Sequence, residues 1–414
     1  MDYIIFIFYL LISIWLVNKI SFFKKSRLTP FWLTTFFTVK VIAGIVYGIF
    51  HSKIPNYQHT ADTWVFFYNS LPQTNMLMHD PLNFFSEIFF NPDHKKFDHL
   101  FSGNDSYWND LRHLYMIKIV AIMNIFSGSR YYVNVIFYSL LTFVGPIAFI
   151  RLMRDIFKGK LAIIAATTFM IPSFLFWTSG IHKDGIVFAA LCSIAYLLHF
   201  NILRKAYTRK HILLLILFML CIFPVRNYVV LASIPAITAW WWSAQLQRYK
   251  WAPFLIIGFV GSIVFFTTKY VYPKIDLPTS IIMRNKEFIK LGGNSMLPQP
   301  QLESNFKSFI YNVPNALNHT LARPYLNEVK SFTYFLSAIE IISLWLILFI
   351  WFFRFTDNPY RHEAVLFFMM LSIILLLLTG YIVPQLGAIV RYRSIYLPFL
   401  IVPIMCTIRW RKTY

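Results

Sequence analysis

Charge is what this 414-residue sequence has least of. Lys, Arg, Asp and Glu together make up 13% of it, where globular chains average about 25%. Acids are scarcer than bases, 17 against 38. Cysteine is nearly absent. Cys192, Cys221 and Cys406 each fall in an apolar run, with no CxxC or Cys/His spacing. That argues against a disulfide framework and a zinc site. There is no Walker or GxGxxG loop, so ATP-driven transport has no motor in this chain. There is also no internal repeat, low-complexity tract or soluble domain. The lone glycine pair in Leu291–Ser295 reads as a turn.

What is present is apolar: 58% hydrophobic and 19% aromatic residues. The runs predict an all-α, polytopic transmembrane helical bundle with about 11 spans. They lie at about Tyr3–Val17, Phe31–Phe50, Tyr132–Ile150, Leu161–Thr178, Gly185–Leu203, Ile212–Phe223, Tyr228–Ala244, Ala252–Tyr270, Phe332–Phe353, Ala364–Tyr381 and Ser394–Ile408. The first has no basic flank or cleavage site and is read as a span. The whole chain, 1–414, is expected to be one integral membrane domain. Two long polar segments, about 51–130 and 271–330, interrupt it. Short amphipathic pieces at Trp64–Leu71, Leu82–Phe90 and Leu111–Phe126 fit the membrane surface.

The formal charge of +21 would suggest nucleic acid in a soluble protein. Here the bases fall in short clusters after every odd-numbered span, as positive-inside topology produces. No nucleic-acid partner is expected. The N-terminus is then outside, the C-terminus cytoplasmic, and both long segments are on the outer side.

That topology collects the awkward charges on one face. Asp62, in H-T-A-D-T-W-V-F-F-Y, suits a general base toward a sugar hydroxyl or a group that positions a metal or acceptor; as plain structure, it or Thr60 caps the next helix. The seam W-T-S-G-I-H-K-D-G, Trp177–Gly185, puts His182, Lys183 and Asp184 between two apolar runs. Lys183 suits a phosphate at a helix N-terminus, or it snorkels. Asp184 suits an N-cap for the following span. Arg226, Arg323, Arg391 and Arg393 suit bidentate phosphate binding, or they meet lipid head groups. Glu328 stands near enough in sequence to pair with Arg323 or Lys330. His59, His79, His94, His99 and His113 are scattered among acids without metal-ligand spacing. No cofactor is expected, and the spacing does not support a divalent metal.

Three segments carry a resemblance. The acidic residue in the first long outer loop resembles the pattern of GT-C-fold membrane glycosyltransferases. P-S-F-L-F-W-T-S-G-I-H-K-D-G (Pro172–Gly185) is similar to a segment of such bacterial proteins and of O-antigen-polymerase-like proteins. L-A-R-P-Y-L-N-E (Leu321–Glu328) and G-A-I-V-R-Y-R-S-I-Y-L-P (Gly387–Pro398) resemble their later loop and last-span motifs. The resemblance implies a bacterial inner-membrane enzyme of cell-envelope glycan assembly. It would take a polyprenyl-phosphate-linked sugar donor and a glycan or lipid-glycan acceptor on the outer face. Asp62 would then be the base, and Lys183, Arg391 and Arg393 would bind the lipid-linked phosphate. The pattern departs from the family in two ways. The loop follows the second span, and Asp62 has a threonine for its neighbour where a paired acid is common. An O-antigen or exopolysaccharide polymerase is the nearest alternative. A lipid-linked oligosaccharide flippase is the rival of another class; it would predict inverted repeats and charges near the midplane.

Overall fold

The structure is a computed structural model that describes residues 2–89, 107–206, 208–272, 275–293, 295–356 and 361–410. Of the expected histidine scatter, His94 and His99 lie outside the described residues, as does the end of the Leu82–Phe90 piece.

The described residues are helical, with no named strand and two isolated bridges. In chain order the helices are α1 Asp2–Lys19, α2 Ser21–Lys24, α3 Pro30–Ser52, α4 Tyr57–Thr60, α5 Asp62–His79, α6 Pro81–Ser86, α7 Tyr107–Ser127, α8 Tyr131–Ile156, α9 Leu161–Met170 and α10 Pro172–Ser179. There follow α11 Lys183–Leu197, α12 Arg209–Ile222, α13 Asn227–Ser243, α14 Ala252–Val271, α15 Leu277–Lys290, α16 Phe306–Leu321, α17 Phe332–Arg354, α18 Glu363–Ile382, α19 Leu386–Ser394 and α20 Leu397–Thr407.

Among the described residues, seven helices are long and apolar enough to cross a membrane, or nine if each of two bent pairs is one span. Helices α9 and α10 bend by 67°, and α19 and α20 by 57°. Pro172 opens α10 and Pro398 sits in the first turn of α20; proline lacks the N–H that would continue the preceding ladder. The two other expected spans are α12 and α13, of 14 and 17 residues. At 1.5 Å per residue, they fall short of the roughly 20 residues a straight crossing needs.

The chain divides into two compact units. The first takes its described residues from Met1–Leu100, Asn104–Leu161 and Leu175–Asn227, the second from Ala162–Phe174 and Tyr228–Tyr414. In the first unit α8 is the hub, packing against α1, α3, α7 and α11. Helix α5 lies along α7. Phe66, Phe67, Met116, Val120, Tyr131, Val135 and Tyr138 close the core between them. The pieces expected to be short amphipathic helices are longer, 18 residues in α5 and 21 in α7.

In the second unit α18 is central, packed by α14, α15, α16, α19 and α20. The segment expected as a long polar loop contains α15 and α16. Their start signals were in the sequence. Asp276 accepts from the Thr279 amide and Asn305 from the Ser308 amide, and Pro278 sits in the first turn of α15; side-chain caps and an early proline are how helices begin. The turn at the glycine pair is as expected, with φ of +65° at Gly292 and +137° at Gly293. The link expected at Ile382–Arg393 is instead largely helix α19. Replacing the α15 cap, Asp276→Ala, should lower stability by about 1 kcal/mol, read as a lower thermal midpoint of the detergent-purified protein.

Candidate functional site

Four charged or titratable side chains of the first unit form one chain of contacts. Asp62 opens α5, and its Oδ2 lies 3.1 Å from His182 Nε2. The other ring nitrogen of His182, Nδ1, lies 3.0 Å from Asp184 Oδ2, an ion-pair separation without hydrogen-bond alignment. Asp184 Oδ1 accepts from Arg226 Nη2. Burial grades along the chain: the Asp62 side chain is 39% exposed, while those of His182 and Asp184 are 0% exposed.

Local sequence explains how the seam reaches this position. Helix α10 ends at Ser179, and Lys40, buried in the middle of α3, donates to Thr178 O at 2.7 Å and reaches Ser179 Oγ at 3.4 Å. Gly180 follows; a Cβ there would come within 2.1 Å of the Tyr47 ring, so only glycine fits. The chain then extends through His182 (φ −151°, ψ 157°) into α11. The buried Tyr138 hydroxyl of α8 donates to the His182 carbonyl and pins it. Phe66, fully buried on α5, fills the space beside the seam. Its ring centre lies 6.4 Å from that of His182 and 5.9 Å from that of His113, and Lys183 Nζ is 5.2 Å from the same ring.

Several expected roles are redistributed. Asp184 does not cap α11. The cap position is His182, and Asp184 lies inside the first turn with its carboxylate on Arg226. Asp62 and Thr60 do not cap α5 either: Ala61 holds that position, and Thr60 Oγ1 donates to Pro55 O and Asn56 O. Lys183 and Arg226 are both buried.

The remaining candidates lie in the second unit. Arg323 Nη1 pairs with Glu328 Oε1 at 2.8 Å, and Glu328 Oε2 also accepts from the Tyr325 amide at 2.9 Å. Arg393 is fully buried and donates to the carbonyls of Arg323 and Thr320. Read along the chain, Arg391 and Arg393 alternate as a pair. On the helix α19, residues two apart point to different faces, so Arg393 is enclosed while Arg391 is half-buried, its guanidinium 5.1 Å from the Tyr392 ring.

Three participants escaped the sequence reading. Lys40 and Glu340 are single charges inside apolar runs, which is itself the mark of a committed polar group. Glu340, in α17, accepts from the Ser173 amide at 2.8 Å and from Ser173 Oγ at 2.7 Å. In the sequence His113 stands only as one of a scatter of histidines. Burial, helped by the charge of Lys183, pushes its pKa down to about 4, with Asp62 opposing. Among the described residues no group of three or more His, Cys, Asp or Glu is placed to hold a metal ion. Comparison with family models, with curated proteins and with solved structures finds no match.

Two outcomes follow. Arg226→Met strips Asp184 of its arginine and should cost about 3–5 kcal/mol; adding Asp184→Asn should recover part of that loss. A thermal-shift mutant cycle reads the coupling, and strictly additive effects would contradict the pairing. The depressed pKa of His113 means the unfolded chain binds the extra proton more readily. Its contribution to stability is therefore complete above about pH 6.5 and fades as pH falls toward about 4. His113→Gln should flatten the pH dependence of the thermal midpoint across that window.

Proposed function

We propose that this chain is a membrane glycosyltransferase that takes a sugar from a polyprenyl-phosphate donor, with Asp62 as the general base. The observation that carries the reading is the graded chain Asp62–His182–Asp184–Arg226. Its only well-exposed member is a carboxylate at a helix start, and everything behind that carboxylate is buried and fixed. Such an arrangement orients a base toward incoming substrate and holds the orientation without reorganisation.

In this reading the acceptor hydroxyl gives its proton to Asp62. The acceptor oxygen bonds to the anomeric carbon. The bond from that carbon to the phosphate oxygen breaks, and its electron pair leaves on the polyprenyl phosphate. That leaving group is already a phosphate, so it needs positive charge more than a proton donor. Lys183 is the cation assigned to that phosphate in this unit; its Nζ lies 5.2 Å from the Phe66 ring, which stands 6.4 Å from that of His182. The finer architecture of the proposal is a GT-C-like bundle of eleven spans in a bacterial inner membrane. The Lys/Arg-rich short loops face the cytoplasm and Asp62 faces outward.

The test is transfer by purified protein in vesicles, supplied with polyprenyl-phosphate-linked hexoses and lipid-glycan acceptors. Wild type should form a glycosidic bond, and Asp62→Asn should lose about 10²–10⁴ of the rate with unchanged insertion and thermal midpoint. Near-normal transfer by the variant removes Asp62 as the base. Movement of lipid-linked glycan across the vesicle with no new bond would overturn the reading in favour of a flippase.

A further inference from the structure

The end of α8 offers a second site of different chemistry. Arg154, Asp155, Lys158, Gly159 and Leu161 from the turn after this helix, with Arg27 from the segment after α2, line a cavity of about 440 Å³. The two strands of chain are tied together. Arg154 Nη1 donates to Lys25 O at 3.0 Å and to Ser26 O at 2.6 Å, immediately before Arg27. Arg27 itself takes a left-handed backbone, φ +64°.

Charge decides what such a cavity holds. Three lining side chains are cationic and one is acidic. The acid is already neutralised from outside the cavity: Asp155 Oδ2 accepts from His199 Nε2 at 2.8 Å and from Arg204 Nη2 at 2.5 Å. Arg27, Lys158 and the part of the Arg154 guanidinium not bonded to Lys25 and Ser26 then give a space of small-ligand size a net positive charge, which favours an anion there. Two guanidiniums and an ammonium fit a phosphate, whose oxygens accept a planar fork and a point charge together.

Position selects the source of the phosphate. Helix α8 is a candidate span ending at Ile156, and the next candidate span begins at Leu161. The cavity therefore lies at the short turn between a span-length helix and the bent pair α9–α10, the depth of lipid head groups where that pair is one span. Nearby, the Arg151 guanidinium lies 4.7 Å from the Phe22 ring and 4.5 Å from the Tyr196 ring. Aromatic rings gather at the same level of a membrane.

We propose that this cavity binds the phosphate of an anionic membrane-lipid head group. It needs nothing from the glycosyltransferase reading and stands or falls separately.

The experiment measures binding of fluorophore-labelled phosphatidylglycerol to the full-length protein in neutral detergent micelles. Arg27→Gln with Lys158→Gln removes two exposed cations and leaves Arg154 to hold its carbonyls. At about 1 kcal/mol per basic residue near a lipid surface, affinity should fall roughly 30-fold. The charge-matched control, Arg209→Gln with Lys210→Gln at the exposed start of α12, should leave affinity within about twofold, well inside that difference. Equal losses in the two double variants would show a diffuse surface effect and overturn the site. Displacement of the labelled lipid by equimolar inorganic pyrophosphate would assign the cavity to a soluble anion and overturn the lipid proposal. A thermal midpoint matching wild type shows that the loss is one of binding.

Discussion

The burial of Asp184 is the constraint on which the first unit depends. An ionised carboxylate with no exposed surface is stable only where opposite charge and hydrogen-bond donors reach it. Here Arg226 supplies the charge from the turn after α12, and His182 stands on the other side. Two elements far apart in sequence must converge for that compensation, the seam before α11 and the end of α12, and α5 joins them through the contact of Asp62 with His182. The aromatic core of Phe66, Tyr131 and Tyr138 fills the space around them. The geometry of the candidate site is therefore part of what makes this unit one compact body.

The apolar helices divide by what they face. Of the most apolar window of α14, 6% is buried, against 72% in the span Lys183–Ile202. Leu255, Phe259 and Val264 of α14 are all exposed, an apolar surface on a helix long and apolar enough to cross a membrane. Several polar side chains on or beside these helices are themselves buried whichever way the rest of the helix faces, among them Lys40 of α3, His182 and Asp184 at the start of α11, and Glu340 of α17. Intramembrane charge thus follows the rule that it faces protein, pairs, or caps a helix end.

The helical class and the positions of the apolar helices were legible because long apolar runs have few alternatives. So was the need of the seam's charges for partners, because charge between apolar runs demands one. Pairing was not legible. The contact between Asp62 and His182 joins residues 120 positions apart, and no local pattern encodes it. A role is hidden in the sequence wherever a side chain has both a local and a distant option. Asp184 stands where a cap could stand, yet Arg226 offers a full counter-charge inside a low-dielectric core, where Coulomb attraction outweighs a single amide hydrogen bond. Helices α15 and α16 were hidden by their Pro, Asn and Gly content. Some of those residues, Asp276, Pro278 and Asn305, were marking helix starts rather than coil.

The way Glu340 is held has a consequence for transport chemistry. A lone acid midway along an apolar helix is where a proton-coupled carrier keeps its titrating group. Such a relay must exchange partners in every cycle. Glu340 has both oxygens engaged by one residue, Oε2 by the Ser173 amide and Oε1 by its hydroxyl. Swinging it away would strip the first turn of α10 of its acceptor, at the bend where α9 gives way to α10. This acid serves as a fixed staple for a broken helix, and a proton pathway through α17 would have to find another carrier.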